Sequence, residues 1–166
     1  MQALHPFYRG RTGEVGACWM TRFDRELAIQ DNIGLVAAVL EDIARGHGFD
    51  RLVYSGFSQG VALAFRAALR APWRADGVIA LGGDVPPELR ALDAERWRDL
   101  RILLGRGRHD ELYAEATMSA DVAFLRSRPV ELRSLVFEGG HEWSDRFNDA
   151  ADELLAAVTA RRRGAG

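Results

Sequence analysis

Leu52-Val53-Tyr54-Ser55-Gly56-Phe57-Ser58-Gln59-Gly60-Val61-Ala62-Leu63-Ala64 decides how the rest of the chain is read. Leu52 to Phe57 is a short apolar run suited to a strand buried on both faces. Val61 to Leu69 is Ala-rich and apolar almost all round, as a helix packed on a sheet would be. Between them, Gly56-Phe57-Ser58-Gln59-Gly60 matches the Gly-x-Ser-x-Gly elbow, a sharp turn with its serine at the tip. A glycine two positions either side lets strand and helix approach without a clashing Cβ. The serine hydroxyl then stands above the sheet edge, near the positive end of the following helix. A plain structural turn with a capping serine fits the same five residues, so the remainder of the chain must decide.

Outward from the elbow, strand and helix patterns alternate. Upstream, Ile29, Ile33, Val36, Leu40 and Ile43 repeat at four-three-four-three spacing after Asp24, one face of a helix closed by Gly46 and Gly48. Downstream, Gly77 to Gly82 and Leu100 to Leu104 read as strands, Leu112 to Leu125 as a helix and Val130 to Phe137 as a strand. Phe147, Ala151, Leu154 and Val158 mark a terminal helix. Gln2 to His5 reads as one short strand ahead of the elbow. This alternation predicts an α/β fold, a mostly parallel sheet with helices on both faces. Residues 1–160 form one expected domain, and Arg161-Arg162-Arg163 with the closing Gly-Ala-Gly forms a basic, solvated tail, 161–166.

Composition narrows the chemistry. With 48% hydrophobic and 28% charged residues in 166, the chain is long enough to bury a core without staples. The net charge of -2 supports no nucleic-acid partner, and no apolar run approaches a membrane span. The default expectation is a cytoplasmic protein. All 22 basic residues are arginine, which excludes Schiff-base lysine chemistry and the P-loop. Cys18 is the single cysteine, so no intrachain disulfide or multi-cysteine metal site can form, and its Gly-Ala-Cys-Trp setting offers nothing to activate a thiolate.

If Ser58 is a nucleophile it needs a base and an acid, expected here in the chain order serine, acid, histidine. His141, in Glu138-Gly139-Gly140-His141-Glu142, follows a strand, and sites form at the carboxyl ends of parallel strands. His47 falls at the opposite end of the sheet, and His109 reads as a loop residue. Asp110 follows the strand ending near Leu104 and is favoured as the acid, where a carboxylate would fix the imidazole tautomer. Asp84, one strand closer to the serine, is its rival, and Glu142 a poor third.

At Gly56 to Gly60, Gly105 to Asp110 and Gly139 to Glu142 the chain resembles the phospholipase/carboxylesterase family of α/β-hydrolases, which includes the acyl-protein thioesterases. The resemblance runs from about Ala3 to the end. It implies a serine carboxylic-ester hydrolase working through an acyl-serine intermediate, on short- or medium-chain acyl esters, with neither metal nor organic cofactor. A thioesterase or lysophospholipase using the same triad, or a non-catalytic hydrolase-like binding protein, are the alternatives. Gln59 would supply one oxyanion N–H, and Trp19 looks like the family's aromatic segment near the substrate.

The family's His-Gly motif, whose loop gives the second oxyanion donor, has no counterpart at the expected place. The expectation is an N-terminally shortened hydrolase missing the first strands. A start upstream of Met1, a fragment, or another element filling the gap would each account for it. One absent donor costs about 3–4 kcal/mol of transition-state stabilisation. A bare edge beside the elbow strand would also favour a homodimer or larger assembly.

Overall fold

The computed structural model describes residues 3–21 and 23–160. Two strands, β1 (His5–Arg9) and β2 (Glu14–Cys18), precede a long helix, α1 (Arg25–Gly46). There follow β3 (Val53–Phe57), α2 (Gln59–Arg70), β4 (Gly77–Leu81) and two 3₁₀ turns at Pro87–Leu89 and Ala94–Trp97. The chain continues through β5 (Arg101–Gly107), α3 (Glu115–Arg126), β6 (Glu131–Phe137) and α4 (Asp145–Ala160). Strands β3 to β6 form one sheet in sequential order, every pair parallel.

Period-two alternation assigns the faces. In β4, Val78 and Ala80 point to one side with Ile102 and Leu104 of β5. They pack there against Val61 and Phe65 of α2 and Met118 and Leu125 of α3. Ile79, Leu81 and Leu103 point to the other side, against Phe147, Ala150, Leu154 and Val158 of α4. The fully buried β4 is what a strand covered by helices on both faces requires. Helix α1 lies outside α2, joining Val36 and Leu40 to Leu63 and Ala67. Its expected stripe is therefore buried at Ile29, Val36 and Leu40 but ends before Ile43, which is exposed.

Two sequence expectations change. The strand expected at Gln2 to His5 starts only at His5, Gln2 lying outside the described residues. It pairs antiparallel with β2 from His5↔Cys18 to Arg9↔Glu14, in a separate two-stranded sheet. A four-residue turn with φ of +53° at Gly10 and +75° at Gly13 closes that hairpin, so the hydrogen-bonding partner of β1 is local. Among the described residues β3 is consequently an outer strand. The helix expected at Leu112 to Leu125 begins at Glu115, because the N–H groups of Leu112 and Tyr113 are taken by a side chain of the preceding loop. The tail at 161–166 lies outside the described residues.

The elbow is set by a steric limit. A Cβ on Gly56 would stand 2.3 Å from the carbonyl oxygen of Gly60, a backbone atom that cannot swing away. Gly56→Ala should therefore cost about 1–3 kcal/mol through overpacking. Gly34, in the interior of α1 with open space around it, should gain up to about 1 kcal/mol as alanine. Urea midpoints of the two variants, moving in opposite directions from the parent, check both.

Candidate active site

Ser58 joins β3 to α2 with φ 53° and ψ −121°, a conformation disfavoured for a side-chain-bearing residue. Its N–H donates to the carbonyl of Leu81 at 2.8 Å, continuing the β3–β4 ladder one residue into the turn. The tip of the elbow is thus pinned to the sheet, and Ser58 lines a cavity of about 500 Å³. Strain of this kind costs about 1–3 kcal/mol and persists only where packing enforces it. Val61 and Phe65, both fully buried in the first turns of α2, supply that packing.

The Gln59 side chain ties the elbow to the segment ahead of α1. Its Oε1 accepts the N–H of Trp19 at 2.7 Å, and its Nε2 donates to the carbonyl of Met20 at 3.3 Å. Asn32, buried in α1, donates from the other side to the carbonyl of Trp19. As the first residue of α2, Gln59 offers its backbone N–H at the positive end of the helix.

His141 and Asp110 meet from neighbouring strands. The backbone stitches their two loops together: Arg108 N–H donates to Phe137 and His109 N–H to Gly139. A Cβ on Gly107 would lie 2.1 Å from the carbonyl oxygen of Gly140, so only glycine permits the approach. His141 Nδ1 stands 2.9 Å from Asp110 Oδ2. Asp110 Oδ1 accepts the N–H groups of Leu112 and Tyr113, each at 2.9 Å. Burial opposes ionisation of Asp110, but the Tyr113 N–H, the His141 ring and the Leu112 N–H outweigh it. They hold the carboxyl below its ordinary 3.8. The imidazole itself is packed between Phe57, with ring centroids 4.7 Å apart, and Gly82, where a Cβ would stand 2.9 Å from Cε1.

Gly82 adjoins both sides of the site, since it also lines the cavity with Ser58. Asp84 lines the same cavity but is exposed and has no hydrogen bond to His141. Glu142 turns back to accept the N–H of Gly140 at 3.0 Å. His47 follows the end of α1, and His109 lies on the surface 3.6 Å from Glu138. Cys18 Sγ faces the carbonyl of His5 inside the hairpin. Trp19 does not line the cavity: its side chain packs with the α1–α2 cluster, and the neighbouring Met20 takes the cavity wall. Of the two arginines lining the cavity, Arg66 pairs with Glu88 at 2.7 Å and Arg25 reaches the same carboxylate at 3.6 Å, so one anion serves two cations.

Sequence patterns alone do not single out Phe57, Gly82 or Tyr113. Phe57 occupies a variable position of the elbow pattern, and Gly82 a strand end. Tyr113 falls within the helical pattern of Leu112 to Leu125. Among the described residues no group of three or more His, Cys, Asp or Glu side chains is gathered to hold a metal ion. Nor is any described helix long and apolar enough to cross a membrane.

Residues 21–158 match the model of a family described as phospholipase/carboxylesterase. Arabidopsis thaliana SOBER1 is similar to the chain with a TM-score of 0.75 at 21% identity, covering 95% of this chain and 81% of its own. A carboxylesterase from Mesorhizobium loti gives 0.72 at 22%, covering 92% and 73%. Zea mays acyl-protein thioesterase 2 gives 0.69 at 19%, covering 88% and 74%. At these identities the likeness speaks to the fold. No curated protein matches the sequence.

The lowered carboxyl of Asp110 has a stability consequence of definite sign. A folded-state value below 3.8 contributes stability that is complete above pH 3.8 and lost as pH falls through the lowered value. The advantage of the parent over Asp110→Asn in urea midpoint should therefore be full at neutral pH and shrink below pH 3.8. A difference that stays constant to the lowest pH at which both fold would contradict it.

Proposed function

The chain belongs to the phospholipase/carboxylesterase family, and from that premise we propose that it hydrolyses carboxylic or thio esters through an acyl-serine intermediate. The observation that carries the reading is the Asp110–His141 contact at 2.9 Å, at the strand ends that also carry the strained Ser58. Asp110 accepts from Nδ1 and keeps Nε2 unprotonated, the tautomer a base requires.

In this mechanism Ser58 Oγ attacks the substrate carbonyl carbon while His141 Nε2 takes its proton. The carbonyl oxygen becomes an oxyanion and receives the backbone N–H of Gln59, with the α2 terminus adding its partial positive charge. Collapse of the tetrahedral adduct breaks the bond to the alcohol or thiol, which leaves with the proton from His141. A water molecule then gives a proton to His141 and its oxygen to the acyl carbon. The second collapse releases the acid and returns the proton to Ser58. Each step has a proton acceptor or donor in His141, so none calls for a metal or an organic cofactor.

The cavity beside Ser58, about 500 Å³ with Met20, Ala62, Leu112 and Pro86 in its wall, suits a short or medium acyl chain. Self-association belongs to the same reading. Strand β3 leaves one row of backbone groups without a ladder partner among the described residues, and pairing with a second copy would satisfy them. Sedimentation at micromolar concentration should give a dimer or larger species, and a sharp, well-folded monomer would contradict it.

Fluorophosphonate labelling, read by intact mass, should add one adduct to the parent and none to Ser58→Ala. Hydrolysis of a p-nitrophenyl ester should fall roughly 10⁴–10⁶-fold in that variant. Asp110→Asn should lower kcat about 10⁴-fold with little change in KM, because the wrong tautomer then predominates. Asp84→Asn should stay near the parent. Undiminished labelling of Ser58→Ala, or a crippled Asp84→Asn beside an active Asp110→Asn, would overturn the assignment.

A further inference from the structure

Arg106 is out of character for its position. It occupies the penultimate residue of β5, on the face where Ile102 and Leu104 join the core beneath α2 and α3, and it is 4% exposed. A leucine there would extend the apolar stripe at no electrostatic cost. A buried guanidinium loses hydration worth several kcal/mol unless polar partners replace it. No carboxylate lies within ion-pair distance of it among the described residues.

Its partners are backbone carbonyls of one loop. Nε donates to Tyr113 at 2.9 Å, and one terminal nitrogen donates to Asp110 at 3.0 Å and Arg108 at 3.3 Å. The planar fork is rigid, so these contacts fix three peptide units relative to β5 at once. Asp110 and Tyr113 are the two ends of the turn that folds round the Asp110 carboxylate, in which Oδ1 accepts the N–H groups of Leu112 and Tyr113. The outer end has a second anchor, the Tyr113 hydroxyl donating to Asp121 Oδ2 of α3 at 2.7 Å. Asp121 also accepts from Arg90 and from the Val85 N–H, so it serves the fold more widely. Arg106 serves this loop alone.

We infer that Arg106 is a positioning residue: by holding the carbonyls at both ends of the 110–113 turn, it aims the Asp110 carboxylate at His141. The inference rests on the proposed roles of Asp110 and His141, and goes beyond them by assigning the geometry of that pair to a side chain that touches neither ring nor carboxylate. Displacements of about an ångström in such a pair cost on the order of 10²-fold in rate.

The test uses Arg106→Gln and Arg106→Lys in the full chain. Lysine keeps the stem and the charge but lacks the rigid fork, so it is the variant expected to fold. It decides the question if the glutamine variant is insoluble. The expected result for Arg106→Lys is a kcat lowered about 10–100-fold with KM within about twofold of the parent. In parallel, a downfield proton resonance of His141 Nδ1–H is expected to be sharp in the parent and absent from Asp110→Asn, and in Arg106→Lys it should broaden or move. That resonance needs no turnover, so it reads the Asp110–His141 geometry even if the esterase reading failed in Ser58→Ala. A kcat within about twofold of the parent, or an unchanged resonance in a variant whose thermal midpoint has fallen, would reduce Arg106 to a stability role and overturn the inference.

Discussion

The carboxylate of Asp110 is almost sealed from solvent, and both its oxygens are engaged. Two backbone N–H groups of its own turn hold Oδ1, and the His141 ring holds Oδ2. An ionised carboxylate without those partners would cost several kcal/mol to bury, so the loops after β5 and β6 can come together only if they bring them. Much of the carboxyl-terminal half follows from meeting that condition. The Leu112 and Tyr113 N–H groups go to the carboxylate instead of a helix, which is why α3 starts at Glu115. Gly107 and the Gly139–Gly140 pair let the two loops touch backbone to backbone. The carbonyls left pointing inward are met by Arg106.

On the other side of the site the governing constraint is steric. Ser58 is held in a disfavoured conformation by the close approach of Gly56 to Gly60 and by the bond from its N–H to Leu81. The energy comes from α2, whose Val61, Phe65, Ala67 and Leu69 are each buried to 2% exposure or less. Burying a valine, leucine or phenylalanine contributes about 1.5–3 kcal/mol, so two such residues exceed the cost of one strained serine. Gln59 adds a tether of a different kind, since its side chain fixes the Trp19–Met20 segment against the elbow and sets Met20 in the cavity wall. The two halves of the site are therefore rigid for separate reasons, and they share Gly82, which adjoins the imidazole and lines the cavity.

The hairpin of β1 and β2 stands apart from this economy. Phe7, Tyr8 and Val15 are exposed on it, and its sheet has no third strand among the described residues. A two-stranded ribbon is only marginally stable alone. Here its root is held by the bonds of Trp19 and Met20 to Gln59 and of Trp19 to Asn32, so the part of the N-terminal segment nearest the cavity is also its best-anchored part.

By itself the sequence determined the alternating α/β order, the elbow at Ser58 and the choice of His141 and Asp110 as candidates. Each rests on local information: period-two and period-3.6 patterns, glycines flanking a serine, polar residues just beyond strand ends. It also favoured Asp110 over Asp84, although both lie between Ser58 and His141 in chain order; the contact of Asp110 Oδ2 with His141 Nδ1 belongs to the tertiary structure. Only the tertiary structure decided where the chain pairs with itself. The alternation of β1 is equally compatible with the main sheet, and its partnership with β2 depends on a turn whose two glycines take positive φ. The same holds for Leu112 and Tyr113, whose helical spacing is overruled by a carboxylate that competes for their N–H groups. Arg106 was illegible for the converse reason: within Gly105-Arg106-Gly107-Arg108 it looks like any solvated arginine. Its role appears only when the loop it binds folds back over the end of β5, a contact that local residue patterns do not encode.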